Sequence, residues 1–167
     1  MARRAASPQA VISHWYQLVE NLQTSTLDFY TAVEQALAGR QVPNAKTGRV
    51  DYREGGVLSA KREYLRVRRR GLLFDICGAP FGRGFFVSWW LGERSFLTAI
   101  LELPMVGPLA SFLIRPWTYF KIDTALMFQE TVHAAVLEVL DGLTNAQGLR
   151  ALSEFERKPI LRDFGQR

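Results

Sequence analysis

The first forty residues carry an apolar repeat with helical spacing. Ser7 and Pro8 are typical of the N-cap and the first position of a helix, and Gly39 ends the pattern. Spacings of mostly three or four residues separate the apolar positions, which are Val11, Trp15, Leu18, Leu22, Phe29, Val33 and Leu37. This periodicity predicts one long amphipathic helix.

Between residues 48 and 91 the pattern changes to short runs rich in β-formers, divided by glycine-containing turns. The runs are GRVDYRE, KREYLRVRR, LLFDICG and FFVSWWL. Turns this short predict an antiparallel meander of four strands.

The second and third runs also predict a register. If Arg70 and Gly71 form the turn, one face of the hairpin consists of core residues, namely Leu65, Val67, Phe74 and Ile76. Arg66 then lies opposite Asp75 on the other face. We expect a solvated pair, worth less than about 1 kcal/mol.

The C-terminal third predicts two helices. Asp123 is a candidate N-cap for the first, and Gly142 lies near its end. One face of this helix is apolar, with Phe128, Val132, Ala135, Val136, Val139 and Leu143. A shorter helix, AQGLRALSEFER, covers 146–157 and is stopped by Pro159.

Together these elements predict one α+β domain over 1–167, with a long N-terminal helix, a four-stranded antiparallel meander, an apolar Pro/Gly excursion and two C-terminal helices packed on the sheet. This element order resembles that of ubiquitin-conjugating and RWD-type domains. The catalytic cysteine of those enzymes follows the fourth strand, whereas no cysteine follows Leu91 here. The resemblance therefore implies a non-catalytic relative.

Charge is concentrated in the middle of the chain. The net charge is +5, and residues 40–94 hold 12 Lys and Arg against 5 Asp and Glu. Such a distribution favours anionic partners. The single cysteine, Cys77, cannot form an internal disulfide, and the first residues lack the continuous apolar run of a signal peptide. We therefore expect a cytoplasmic protein.

The basic residues around the predicted hairpin are candidate contacts for an anion or nucleic acid: Arg66, Arg68, Arg69, Arg70 and Arg83. Nearby aromatic residues invite comparison with sheets that bind RNA by stacking, namely Tyr64, Phe86, Trp89 and Trp90. The run FFVSWWL, however, is apolar at successive positions, which favours a strand covered on both sides. A solvated basic edge and a nucleic-acid contact both remain open.

The apolar segment from Phe96 to Ile114 is interrupted by PMVGP and contains a glutamate, so it is not expected to make one clean membrane crossing. Aromatic residues next to Arg115 and Lys121 are typical of an interfacial membrane element. The segment could also cover the core or dock on a protein. Its candidate contact residues are Phe96, Leu101, Met105, Val106, Leu109, Phe112, Trp117 and Tyr119.

Candidate catalytic and metal-binding residues are few. Cys77 could act as a nucleophile only with His14 or His133 as a base. Glu130 and His133 have ExxH spacing, but a di-iron site needs a second copy and further carboxylates. The loop GAPFGRG lacks the phosphate-binding patterns and predicts a hairpin turn. The sequence thus predicts no catalytic residue, metal site or cofactor.

These observations favour a non-enzymatic interaction module or accessory subunit that binds through the 96–120 region. Its partner would be a protein, a second copy of the chain or a membrane surface, the last implying peripheral membrane association. Two alternatives remain. One is a nucleic-acid-binding domain that uses the basic hairpin 61–70, and the other is a thiol-dependent enzyme that uses Cys77.

Overall fold

A computed structural model describes residues 10–53, 61–93 and 118–161. The elements in chain order are β1 (Ala10–Glu20), α1 (Thr26–Gly39), β2 (Ala45–Arg53), β3 (Lys61–Arg69), β4 (Leu72–Phe81), β5 (Gly84–Glu93), α2 (Tyr119–Ala146) and β6 (Ile160–Leu161). The strands form one sheet in the order β2-β3-β4-β5-β1-β6, and all neighbours are antiparallel. The fold is therefore α+β, with five long strands and the two-residue β6.

The predicted long N-terminal helix is wrong, because residues 10–20 form strand β1 and only residues 26–39 are helical. β1 pairs with β5 from Ala10 opposite Glu93 to Glu20 opposite Gly84. Asn21 has a φ of 60° where the chain leaves the strand. The β-branched and aromatic residues of β1 pack well in a sheet, and this long-range pairing outweighs the local helical spacing.

The predicted hairpin register is confirmed. Leu65 lies opposite Ile76, and Val67 lies opposite Phe74. All four side chains are fully buried, and Arg70 has a φ of 52° in the turn. The four predicted strands correspond to β2 to β5, but the four-stranded sheet is wrong, because β1 and β6 extend it.

The prediction of two C-terminal helices is also wrong, because the described residues form only the first of them. That helix is α2, which is capped by Thr118, five residues before the predicted N-cap Asp123, and its predicted apolar face is largely buried. Residues 147–159 are not helical, and Gly148 has a φ of 65° after the end of α2. The chain then returns as β6, which pairs with Ser13 and His14 of β1.

This topology departs from the element order that suggested ubiquitin-conjugating and RWD-type domains. In the described chain a strand precedes α1, and that strand lies beside β5, at the far side of the meander. The interpretation of this chain as a non-catalytic relative of those domains therefore no longer has support.

Both helices pack on one face of the sheet. Phe29 of α1 contacts Phe85, with ring centroids 5.3 Å apart, and Phe128 of α2 contacts Phe74 at 5.9 Å. Gly78 is required beneath α1, because a Cβ atom there would lie 2.5 Å from Cδ1 of Phe29. The core therefore lies between this face and the two helices.

The predicted apolar excursion from Phe96 to Ile114 lies outside the described residues. Within the parts of the chain that the structure describes, no helix is both long and apolar enough to cross a membrane.

Replacing Phe74 by Ala should lower the free energy of unfolding by about 3 to 5 kcal/mol, because a large side chain is removed from a packed core. Phe74 is fully buried and lies 4.6 Å from the ring of Trp89. Urea denaturation measures the change. The matched control is Phe81→Ala, which removes a ring that is 68% exposed and should change stability by about 0.5 kcal/mol or less. Equal losses in the two variants would contradict this assignment of the core.

Candidate functional site

The side of the sheet opposite α1 and α2 is called here the second face. Cross-strand partners in an antiparallel sheet point to the same side. The register therefore places three rows of side chains on the second face: His14, Trp90, Asp75 and Arg66; then Tyr16, Ser88 and Cys77; then Leu18, Phe86 and Ala79. Arg68 and Lys46 form a cross-strand pair on the same face. None of the described helices covers it.

A buried ion pair lies at the centre of the second face. Nε and Nη2 of Arg66 donate to the two carboxylate oxygens of Asp75 at 2.6 and 2.7 Å. The hydroxyl of Tyr52 donates to Oδ2 of Asp75 at 2.6 Å and accepts from Arg66. Burial, with the hydrogen bond and charge of Asp75, raises the pKa of Tyr52 well above its ordinary value. Arg66 and Asp75 thus neutralise each other.

The predicted pairing of these two residues is confirmed, but the prediction that the pair is solvated is wrong. The side chains of Arg66 and Asp75 are only 10% and 4% exposed. The guanidinium group also lies 5.7 Å from the ring centroid of Tyr52 on the neighbouring strand β2. A charged pair that is buried in this way is expensive to break, in contrast with an exposed one.

Cys77 has the environment of a structural thiol. It is fully buried, and burial raises the pKa of its thiol. His133 packs on the opposite face of the sheet, against Trp89. The register places the Cα atom of His14 about 12 Å from that of Cys77, two strands and two residues away. Neither histidine is therefore positioned as its base.

His133 is held between a tryptophan and a backbone carbonyl. Nε1 of Trp89 donates to Nδ1 at 3.0 Å, so Nδ1 carries no proton, and Nε2 donates to the carbonyl oxygen of Arg157 at 2.6 Å. Burial lowers the pKa of this imidazole and keeps it neutral. Both ring nitrogens are occupied, and Glu130 points to solvent. The described residues contain no cluster of three or more His, Cys, Asp and Glu side chains that could hold a metal ion.

The five candidate arginines do not share one surface. Arg66 is neutralised by Asp75, and Nε of Arg69 donates to the carbonyl oxygen of Pro43 at 3.2 Å on the helical face. Arg70 and Arg83 lie in the turns at opposite ends of β4, roughly 30 Å apart for a strand of ten residues. Arg68 is exposed and lies opposite the exposed Lys46. The described fold therefore brings together a smaller basic group than the sequence suggested.

The second face also exposes aromatic side chains. The ring of His14 stacks on that of Trp90, with centroids 4.8 Å apart and planes inclined by 13°. Trp90 is 40% exposed and Tyr16 is 59% exposed, and Leu18 lies beside them. His14 and Tyr16 were not predicted as part of a common surface, because this part of the chain was expected to be helical. The apolar positions of β1 fit helical spacing as well as a strand, so no local pattern singled these two residues out.

The exposed start of α2 is the described part of the 96–120 region. Tyr119 is 88% exposed and Phe120 is 72% exposed. Nζ of Lys121 lies 3.6 Å from Oε1 of Glu93, so the end of β5 and the start of α2 are neighbours. The other candidate contacts lie outside the described residues: Phe96, Leu101, Met105, Val106, Leu109, Phe112 and Trp117.

A cavity of about 440 Å³ lies beside the outer edge of β1. It is lined by residues 17–21 and by Leu149, Arg150, Leu152 and Glu156. The guanidinium group of Arg150 donates to both carboxylate oxygens of Glu156 at 2.8 and 2.9 Å, and these bonds hold the pKa of that carboxyl far below its usual range. Two of the three charged side chains in its lining, Arg150 and Glu156, are therefore already paired with each other, and the third is Glu20.

Comparison with known proteins identifies no relative. No family model matches the chain, and neither the curated proteins nor the solved structures contain a match. The assignment of function therefore depends on the chemistry of these surfaces.

Replacing Asp75 by Ala should lower the free energy of unfolding by about 3 to 5 kcal/mol, because Arg66 would keep an uncompensated charge in a buried site. Thermal or urea denaturation measures the loss. Arg150→Ala is the control, since Arg150 is 69% exposed and the loss of its solvent-screened ion pair with Glu156 should leave stability nearly unchanged. A comparably small loss in Asp75→Ala would contradict the burial of the pair.

Stability should fall as the pH is lowered below about 6.5, the ordinary pKa of histidine. In this range the unfolded chain binds a proton at residue 133, whereas the native chain does not until a lower pH, because burial depresses the pKa of His133. The slope from this group approaches about 1.4 kcal/mol per pH unit. This slope should be absent when the stability of His133→Gln is measured by denaturation at several pH values. It should persist in the control His14→Gln. Equal slopes in wild type and His133→Gln would count against this prediction.

Proposed function

We propose that this protein is a non-enzymatic interaction module that attaches to a membrane surface through the 96–120 region. The observation that carries the proposal is the proximity of Lys121 and Glu93, whose charged atoms are 3.6 Å apart. The two described segments that flank the apolar sequence thus lie next to each other. The exposed rings of Tyr119 and Phe120 stand at that place.

The chemistry of this region suits the boundary between lipid headgroups and acyl chains. Aromatic rings and cations favour that boundary, because rings tolerate its mixed polarity and cations pair with phosphate groups. The sequence WTYFK, residues 117–121, combines three aromatic residues with Lys121. The net charge of +5 adds a long-range attraction to anionic lipids.

The alternatives in the sequence have less support. A nucleic-acid contact through the hairpin 61–70 loses Arg66, which is paired with Asp75, and Arg69, which bonds to Pro43. A thiol-dependent enzyme would need an accessible thiol, whereas Cys77 is fully buried. A protein partner would use the same apolar region as a membrane, and the lipid experiment separates the two.

The test is co-sedimentation with vesicles of phosphatidylcholine, with and without phosphatidylserine. Wild type should pellet with the anionic vesicles, and high salt should weaken the binding. Tyr119→Ser/Phe120→Ser should bind about tenfold more weakly or worse, because two apolar rings are lost from the contact. The control Phe81→Ser/Phe155→Ser removes two rings that are 68% and 86% exposed elsewhere, and it should bind like wild type.

Failure of wild type to bind either kind of vesicle would overturn the membrane proposal. Equal binding of the two double variants would overturn the assignment of the contact to the start of α2.

A further inference from the structure

We propose that the second face of the sheet binds single-stranded nucleic acid, with bases stacked on Trp90 and Tyr16 and phosphates held by Arg68 and Lys46. This inference uses residues other than those of the membrane contact. It also differs from a contact through the five candidate arginines of the sequence, because of those five only Arg68 is part of this surface.

The aromatic half of this surface is formed by β1 and β5. Trp90 is supported from one side by the stacked ring of His14 and remains 40% exposed. Tyr16 lies two residues along β1 from His14, points to the same side and is 59% exposed. Exposed rings fixed on a sheet are the platforms on which unpaired bases stack.

The cationic half is formed by β3 and β2. Arg68 and Lys46 are exposed cross-strand partners, and Arg62 is exposed farther along β3 on the same side. β3 lies two strands from β5, and Arg68 is two residues along from the row of Trp90, so the register places the Cα atoms of Arg68 and Trp90 about 12 Å apart. The Cα atoms of Arg68 and Tyr16 are about 20 Å apart, and Lys46 lies one strand farther out. A strand of nucleic acid could therefore place its bases on the rings and its backbone on the cations.

The area between the two halves does not repel an anion. Asp75 is the acidic residue in the row of Trp90, and Arg66 neutralises it through two hydrogen bonds. Opposite Arg68 the register places the apolar Leu73, and on the other side of Asp75 it places the small side chains of Cys77, Ala79 and Ser88. Among the described residues that the register places on the second face, the exposed acidic residue is Glu20. It lies at the end of β1, opposite Gly84.

A single strand fits this arrangement better than a duplex. Stacking on Trp90 and Tyr16 requires bases that are free of their own partners. A duplex would instead need an element that enters a groove, and the second face is a sheet surface on which no described helix stands.

The test measures fluorescence anisotropy of labelled oligo-dT and oligo-U of about 15 nucleotides, a length that spans the usual site size. Wild type should bind both more tightly than a duplex of the same length. Trp90→Ala should weaken binding about 5- to 150-fold, the range for loss of one stacked base. Trp90→Phe keeps an aromatic ring and should retain most of the affinity, which distinguishes loss of stacking from loss of folding.

Two controls separate this surface from general charge and general aromatic exposure. Phe155→Ala removes a ring that is 86% exposed elsewhere and should bind like wild type. Arg68→Gln should reduce the slope of log affinity against log salt by about 0.7, the value for one phosphate contact on a single strand, whereas Arg150→Gln should not change the slope.

Absence of saturable binding by wild type would overturn the proposal, as would equal affinity for duplex and single strand. Unchanged affinity in folded Trp90→Ala would also overturn it. The variant Tyr119→Ser/Phe120→Ser should bind oligonucleotides normally, so that failure of the membrane proposal and failure of this one can be distinguished.

Discussion

The pairing of β1 with β5 is the interaction on which the rest of the structure depends. It joins residues that lie far apart in sequence, such as Gln17 and Val87, and the chain between them must close as a long loop. The pairing places Trp15 beside Trp89 on the helical side of the sheet. The ring of His133 packs against both tryptophans, at 5.3 and 5.4 Å, and so ties α2 to this pair of strands.

The elements that could be predicted from the sequence are those with local causes. The hairpin of β3 and β4 has a short turn, and Leu65 and Val67 alternate with arginines along β3, so its register followed from a few neighbouring residues. The apolar face of α2 follows in the same way from helical spacing. In both cases the local preference and the tertiary packing agree.

β1 could not be predicted in this way, because its pattern is ambiguous. Ser13 interrupts the apolar alternation, yet it is fully buried, since its hydroxyl donates to Oε1 of Gln129 on α2. The pairing also shifts register between Val11 and Ser13, which breaks the period of two. The remaining apolar positions fit helical spacing as well as a strand. Only the distant partner β5 decides between the two.

The candidate site was predictable to a similar extent. The sequence predicted that Arg66 faces Asp75, because that pairing belongs to the local hairpin. It did not predict the burial of the pair, because Tyr52 reaches the carboxylate from β2, whose register against β3 is not fixed by a short turn, since seven residues separate the two strands. The aromatic residues of β1 were missed for the same reason as the strand itself.

Buried polar groups find their partners in different ways on the two faces of the sheet. On the helical side, Trp89 donates a hydrogen bond to His133, and His133 donates one to the carbonyl oxygen of Arg157. This network stabilises the packing and leaves neither ring nitrogen of His133 free for a ligand. On the second face, the charges of Arg66 and Asp75 cancel in a buried pair, while Arg68 and Lys46 remain exposed beside the rings of Trp90 and Tyr16. Because strand residues alternate between the faces, the two adjacent tryptophans lie on opposite faces: Trp89 is buried in the core and Trp90 is 40% exposed. The chemistry available for recognition thus follows from the same alternation that builds the core.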